Sequence, residues 1–166
     1  MKRTLVLIRH AKTKPAGLLQ DDFDRRLNDR GEQDAPEMGR RLHRHSIIPD
    51  LIVASTAKRA AQTARGIAAS VDYQEGRIQW EHRLYLCEPE VFESVISALP
   101  DEIMTVFIIA HNPGITEFVN ALSPHYHIDN LPTCGVVGVH VTDGSWPDFS
   151  TSKKEVFLSD YPKKHI

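Results

Sequence analysis

The sequence predicts an α/β fold, a three-layer α/β/α arrangement whose central sheet is mostly parallel and finishes with an antiparallel C-terminal strand pair. Three observations lead there. Short runs at residues 4–8, 51–54 and 105–110 are almost free of polar residues, the composition of strands buried on both faces of a parallel sheet. Stretches of helical period alternate with them, the mark of β-α-β units. After about residue 135 two strand-type runs follow each other with only a turn between, which suits an antiparallel pair.

The elements follow in order. Strand one covers about residues 4–8, and a polar loop with Pro15, Gly17 and Asp21-Asp22 comes after it. Asn28 is a good N-cap, and Ala35, Met38 and Leu42 recur at three- and four-residue intervals, so a helix extends to about His45 with Pro36 in its second turn. Pro49-Asp50 turns the chain into the second strand at 51–54, and Ser55 with Thr56 can cap an alanine-rich helix reaching about Ser70. A weaker strand is expected at 77–80. Pro89 opens a helix with Val91, Phe92, Val95, Ile96 and Leu99 on one face, ended by Pro100-Asp101. The run at 105–110 leads into Asn112-Pro113, read as the N-cap and first-turn proline of a helix to about Leu122. Residues 135–141 and 155–158 form the closing pair, joined by a turn around Asp143-Gly144.

At 166 residues the chain is expected to form one domain over 1–166, with no repeat, linker or low-complexity segment. Apolar residues make up 41% and charged residues 25%, ordinary values for a folding chain. Lys plus Arg is 20 against 22 for Asp plus Glu, which leaves no global basic field for nucleic acid or anionic lipid, so any anion site is local. Cys87 and Cys134 are too few for a disulfide framework and lack zinc-ligand spacing, which fits a reducing cytoplasm. The apolar run after Lys2-Arg3 ends at Arg9 and is too short for a signal h-region or a membrane span. His43 and His45 fall on different faces of a helix, and His125 with His127 supply too few ligands, so no metal and no cofactor is expected. Nucleotide-binding glycine loops and a Cys-x5-Arg phosphatase loop are absent from the sequence.

In an open parallel sheet, ligands bind beyond the carboxyl ends of the strands, so the residues after each apolar run carry the information. Strand one delivers Arg9 and His10, the second strand delivers Ser55 with Arg59 a helical turn on, and the run at 105–110 delivers His111. Two arginines can grip a dianionic phosphoryl group through bidentate charge-assisted bonds, and a helix beginning at Asn112-Pro113 adds its positive end. Taken singly, each element has an ordinary reading: a surface Arg-His pair, a Ser-Thr helix cap, an exposed helical arginine, an Asn-Pro-Gly turn. One candidate after each of three strands, all suited to one anion, is what raises the phosphate-site reading above these.

These residues resemble the histidine phosphatase superfamily, which includes the cofactor-dependent phosphoglycerate mutases, and within it the short SixA-like phosphohistidine phosphatases. The resemblance spans most of the chain. Leu5 to Lys12 is similar to the family's strand ending in Arg-His-Gly or Arg-His-Ala. Asp24-Arg25-Arg26-Leu27-Asn28-Asp29-Arg30-Gly31 is similar to its Asp-Arg-Pro-Leu-Thr-x-x-Gly stretch, with Arg26 standing where that pattern has proline. Ser55 to Ala64 follows the family's Ser-x-x-x-Arg-x-x-Gln-Thr-Ala helix, His111-Asn112-Pro113-Gly114 its second histidine motif, and Leu131-Pro132-Thr133 a late SixA-like segment.

The resemblance implies a phosphoglycerate mutase-like fold and a phosphatase in which His10 is the nucleophile, taking the phosphoryl group and later yielding it to water. A neutral imidazole is a competent nucleophile near neutral pH, and the covalent route divides one hard displacement into two. Arg9 and Arg59 would disfavour a charged His10 and neutralise the phosphoryl oxygens, while His111 would donate a hydrogen bond to them. Arg25 is a further candidate phosphate ligand, with loop solvation as the alternative. For the leaving-group acid Glu81 is the nearest candidate, with Glu88, Asp21 and Asp22 as alternatives. A phosphohistidine leaving group departs as an imidazole already carrying a proton, so a weak or missing acid favours phosphoramidates over alkyl esters. Residues 71–104 leave no room for a lid-sized insertion, which predicts a shallow pocket suited to a phosphohistidine presented by a partner protein such as a histidine phosphotransfer domain. The other readings are a broad small-molecule phosphomonoesterase, a non-catalytic phosphate-recognition module and, less favoured for a chain this short, a mutase.

Overall fold

The computed structural model describes residues 2–165, with the side chain of His165 outside that description. Along it run β1 (Arg3–Arg9), α1 (Asp29–Arg44), β2 (Leu51–Ala54), α2 (Lys58–Ser70), β3 (Gln79–Trp80), α3 (Pro89–Ser97), β4 (Thr105–Ala110), α4 (Gly114–Ala121), β5 (Val136–Thr142) and β6 (Lys153–Asp160). The strands form one six-stranded sheet in the order β3-β2-β4-β1-β5-β6. β1 pairs in parallel with β4 (Leu5 opposite Val106) and antiparallel with β5 (Leu5 opposite Val139). β2 is parallel to β3 and β4, and β5–β6 is the antiparallel closing pair.

Side chains of a strand point alternately to the two faces, and β1 shows why its run is continuously apolar. Leu5 and Leu7 join Val106, Ile108, Phe92, Ile96, Ile115 and Phe118 in the core under α3 and α4. Val6 and Ile8 join Phe107, Ile109, Ala35, Met38, Ala64 and Ile67 in the core under α1 and α2. Both faces of β1 are therefore buried, and its carboxyl end is held from two sides. The start of α1 is stitched to the loop that follows β1. The Asn28 side chain accepts the Gly31 N–H (2.8 Å) as N-cap, worth about 1 kcal/mol, and the Asn28 N–H donates to the Lys12 carbonyl (2.9 Å). A Cβ at Gly31 would collide with that same carbonyl, so only glycine permits the approach.

Several local expectations are corrected. Neither Ser55 nor Thr56 caps α2, which begins at Lys58 with Ala57 in the cap position and no side-chain bond. Their hydroxyls bond to His111 and His82 instead. Asn112 is not the N-cap of α4: the Asn112-Pro113 peptide is cis, the helix starts at Gly114, and Pro113 occupies the cap position. The Asn112 amide is engaged over long range, donating to Asn130 Oδ1 and the Leu131 carbonyl and accepting from the Thr116 hydroxyl. The weak strand shrinks to Gln79–Trp80 because Glu75–Arg77 is a 3-10 turn. The turn at Asp143-Gly144 is present, both residues having positive φ, but β6 starts at Lys153 and the connection carries a 3-10 turn, Trp146–Asp148. Trp146 fills the core there, fully buried, with its indole N–H donating to the Ile103 carbonyl (2.7 Å). Among the described residues, no helix is long and apolar enough to cross a membrane.

Candidate active site

The parallel strands β1, β2 and β4 deliver His10, Ser55 and His111 just beyond their carboxyl ends, at the same end of the sheet. His10 is buried, and its backbone is clamped on both sides: the N–H donates to the Ala110 carbonyl (3.1 Å) and the carbonyl accepts from the Cys134 N–H (3.0 Å). Its ring is equally defined. Nδ1 lies 2.8 Å from the Ala11 carbonyl, which can only accept, so Nδ1 carries the proton; Nε2 accepts from the Arg59 Nε–H (3.3 Å). Both bonds describe a neutral imidazole with a bare Nε2. Burial, together with the positive charges of Arg59, Arg9 and Arg25, outweighs the Ala11 bond and lowers the His10 pKa to about 3.

His111, also buried, sets its ring 5.3 Å from that of His10 and its Nε2 2.7 Å from the Ser55 hydroxyl. Its Nδ1 is buried without a hydrogen-bond partner among the described residues. Burial first, then His10 and Arg59, lower its pKa to about 3, so this ring too is neutral. Arg9 is anchored by Nη1 on the Leu131 carbonyl (3.0 Å).

Arg59 is 3% exposed and central. Beyond its bond to His10, Nη1 donates to the Asp22 carbonyl (2.7 Å) and Nη2 to Asp22 Oδ2 (2.9 Å). Arg25 reaches the same carboxylate through Nη1 (3.2 Å) and holds the Thr13 hydroxyl through Nη2 (2.6 Å). The Tyr85 hydroxyl donates to Asp22 Oδ2 (2.6 Å), and its ring stands edge-on to His111, 5.4 Å between centroids. Burial pushes the Asp22 carboxyl up, but Tyr85, Arg59 and Arg25 together bring it down to about 2.

The structure thus brings Arg9, His10, Arg59 and His111 together and ties Arg25 to them through Asp22. Glu81 follows β3, its N–H on the Ala54 carbonyl (2.8 Å), and its carboxylate is held two-pronged by Arg83 (2.8 and 3.1 Å), which keeps it below the usual carboxylate range. Glu88 and Asp21 are exposed at the entries to α3 and to the 3-10 turn Asp22–Asp24. The place of Asp22 between Arg59 and Arg25 and that of Tyr85 against His111 had no periodic or motif signal in the sequence. The α2 motif, in contrast, decodes residue by residue: Ser55 meets His111, Arg59 meets His10, Gln62 accepts the Leu27 N–H (2.8 Å) and Thr63 the Ala11 N–H (2.9 Å). Its last two polar residues tie the loop that follows His10 to the helix carrying Arg59. Among the described residues, no group of three or more His, Cys, Asp or Glu is placed to hold a metal ion.

Neutral histidines among guanidinium groups at the carboxyl ends of parallel strands are the furniture of a protein that handles phosphoryl groups. The chain belongs to the histidine phosphatase superfamily (branch 1), whose family model matches residues 5–88, a span holding His10 and Arg59 but not His111. Its activity class is that of a phosphatase, and its fold is phosphoglycerate mutase-like. A structure from Nakamurella multipartitia, described as a phosphohistidine phosphatase SixA, superposes with a TM-score of 0.83 over 98% of both chains at 25% identity. An uncharacterised protein of Mycobacterium leprae (strain TN) is 30% identical over 169 residues, 94% of this chain and 100% of its own length. The mitochondrial serine/threonine-protein phosphatase Pgam5 of Drosophila grimshawi is 36% identical over 77 residues, 46% of this chain and 26% of that one.

Proposed function

We propose that the protein, acting as one domain in the cytoplasm, removes phosphate from phosphohistidine on a partner protein through a phosphohistidine intermediate on its own His10. The observation that carries the mechanism is the bare Nε2 of His10, neutral and fixed beside Arg59. Nε2 attacks phosphorus in line, forming one N–P bond as the substrate's N–P bond breaks, and the leaving imidazole departs with the proton already on its other nitrogen. Water then attacks the phosphoryl group on His10, that N–P bond breaks, and phosphate leaves with the imidazole neutral again. Arg9, Arg59 and Arg25 balance the charge on the phosphoryl oxygens, and His111 donates to one of them.

The carboxylates support the substrate class. Asp22, with a pKa of about 2, and Glu81, held low by Arg83, are both ionised near neutral pH and store no proton for an alkoxide. An imidazole leaving group needs none. The test compares phosphate release from a phosphohistidine protein and a phosphoserine protein, using wild type and His10→Ala. Release from the first alone, lost by about 10⁴-fold or more in the variant, is the expected result. Equal release from both would make the protein a general phosphomonoesterase. Binding without release would make it a phosphate reader.

A further inference from the structure

The hydrogen bonds of the two histidines make them opposites. His111 is neutral, so it carries a single ring proton, and the partner of one nitrogen decides which nitrogen holds it. That partner is Ser55, fully buried at the end of β2 and fixed by its own N–H on the Ile109 carbonyl (3.0 Å). The Ser55 oxygen accepts the Ala57 N–H (3.3 Å) and lies 2.7 Å from His111 Nε2.

A buried hydroxyl proton needs an acceptor, and among the described residues His111 Nε2, at 2.7 Å, is the one within reach. If Nε2 instead donated to Ser55, the serine proton would be stranded and Nδ1 would be a lone pair with no donor. With Ser55 donating, the hydroxyl is satisfied in both directions and only the Nδ1–H awaits a partner. We propose that Ser55 is a positioning residue that locks His111 as the Nδ1–H tautomer, so that His111 offers a hydrogen-bond donor to a bound phosphoryl oxygen. His10, whose Nδ1–H is spent on the Ala11 carbonyl, offers a lone pair. The serine thereby separates the roles of two rings only 5.3 Å apart. The claim rests on the phosphate-site reading for its purpose, but the tautomer can be read without turnover.

The experiment is long-range ¹H–¹⁵N correlation of the histidine side chains at neutral pH in the whole protein, with His111 assigned by comparison with His111→Asn. Wild type is expected to show His111 protonated on Nδ1, and that proton to shift on adding inorganic phosphate. A proton on Nε2 overturns the proposal outright. The Nδ1–H tautomer with no response to phosphate removes its role as donor, and does so whether or not the protein is an active phosphatase. In Ser55→Ala the proton is expected to spread onto Nε2, kcat to fall about ten- to a hundredfold with KM little changed, and Ser55→Thr to recover most of it. In a His111→Asn background Ser55→Ala should change kcat no further. A full additional loss there would mean that the serine does not act through His111.

Discussion

The two sides of the site are held by different means. On the strand side, His10 is clamped by backbone bonds to Ala110 and Cys134, Arg9 by the Leu131 carbonyl, and His111 by a serine whose backbone is bonded to β4. On the loop side, Asp22 and Arg25 sit between β1 and α1 on a partly exposed segment, fixed by side-chain bonds to Arg59, Thr13 and Tyr85. The first group is set by bonds to the backbone of the sheet and of the segment that precedes β5. The second group is set by charge, so it responds to the charge of a ligand. Arg59 belongs to both, with Nε on His10 and the far nitrogens on Asp22.

Arg59→Lys removes the group whose hydrogen bonds span the two sides. A lysine cannot hold His10 and Asp22 at once, and kcat/KM for phosphohistidine should drop by about 10²–10³-fold. A loss below tenfold would show that the strand side suffices. The next effect separates the sides by pH. His10 and His111 have pKa values near 3 when folded, against 6.5 for the free side chain. Between those values the unfolded chain binds more protons, so stability is full above pH 6.5 and is lost as pH falls toward 3. From pH 7 to 5 each ring should remove on the order of 1–2 kcal/mol, read as a fall in Tm that a His10→Asn/His111→Asn variant largely lacks. An equal fall in that variant would move the acid sensitivity to other groups.

Asp22→Asn keeps an acceptor for Arg59 but removes a negative charge facing an incoming dianion. Inorganic phosphate should then inhibit about three- to tenfold more tightly. Weaker inhibition would mean that the carboxylate serves to hold Arg59 in place. Glu81→Gln, at a carboxylate bonded to Arg83, should alter phosphohistidine turnover by less than about threefold. A hundredfold loss would return Glu81 to the role of acid and weaken the argument for phosphohistidine over phosphoserine.

The same division separates what was legible in the sequence from what was not. β1 and β4 announce themselves because both faces are buried, and residues at their carboxyl ends fall into place once the sheet is parallel. His10, Arg59 and His111 come together for that reason. Asp22 meets Tyr85 across 63 positions of chain through one hydroxyl bond, and no local pattern encodes such a contact. Asn112 and Ser55 misled in a related way. Each has the side chain of a helix cap, yet each also spends it on a distant partner, Asn112 on Asn130 and Leu131 and Ser55 on His111. Trp146 was hidden by its setting, a core residue in a connection between strands.

β1 is made well before its neighbours on either side, β4 and β5. The clamps on Arg9 and His10 come from residues 131 and 134. During synthesis, the chain must therefore be extended past Cys134 before His10 acquires its surroundings, and folding waits on contacts of large sequence separation. A nascent or truncated chain ending before Leu131 lacks the carbonyl that aims Arg9 and the N–H that holds His10. The backbone that surrounds His10 is thus complete only in a chain made past Cys134.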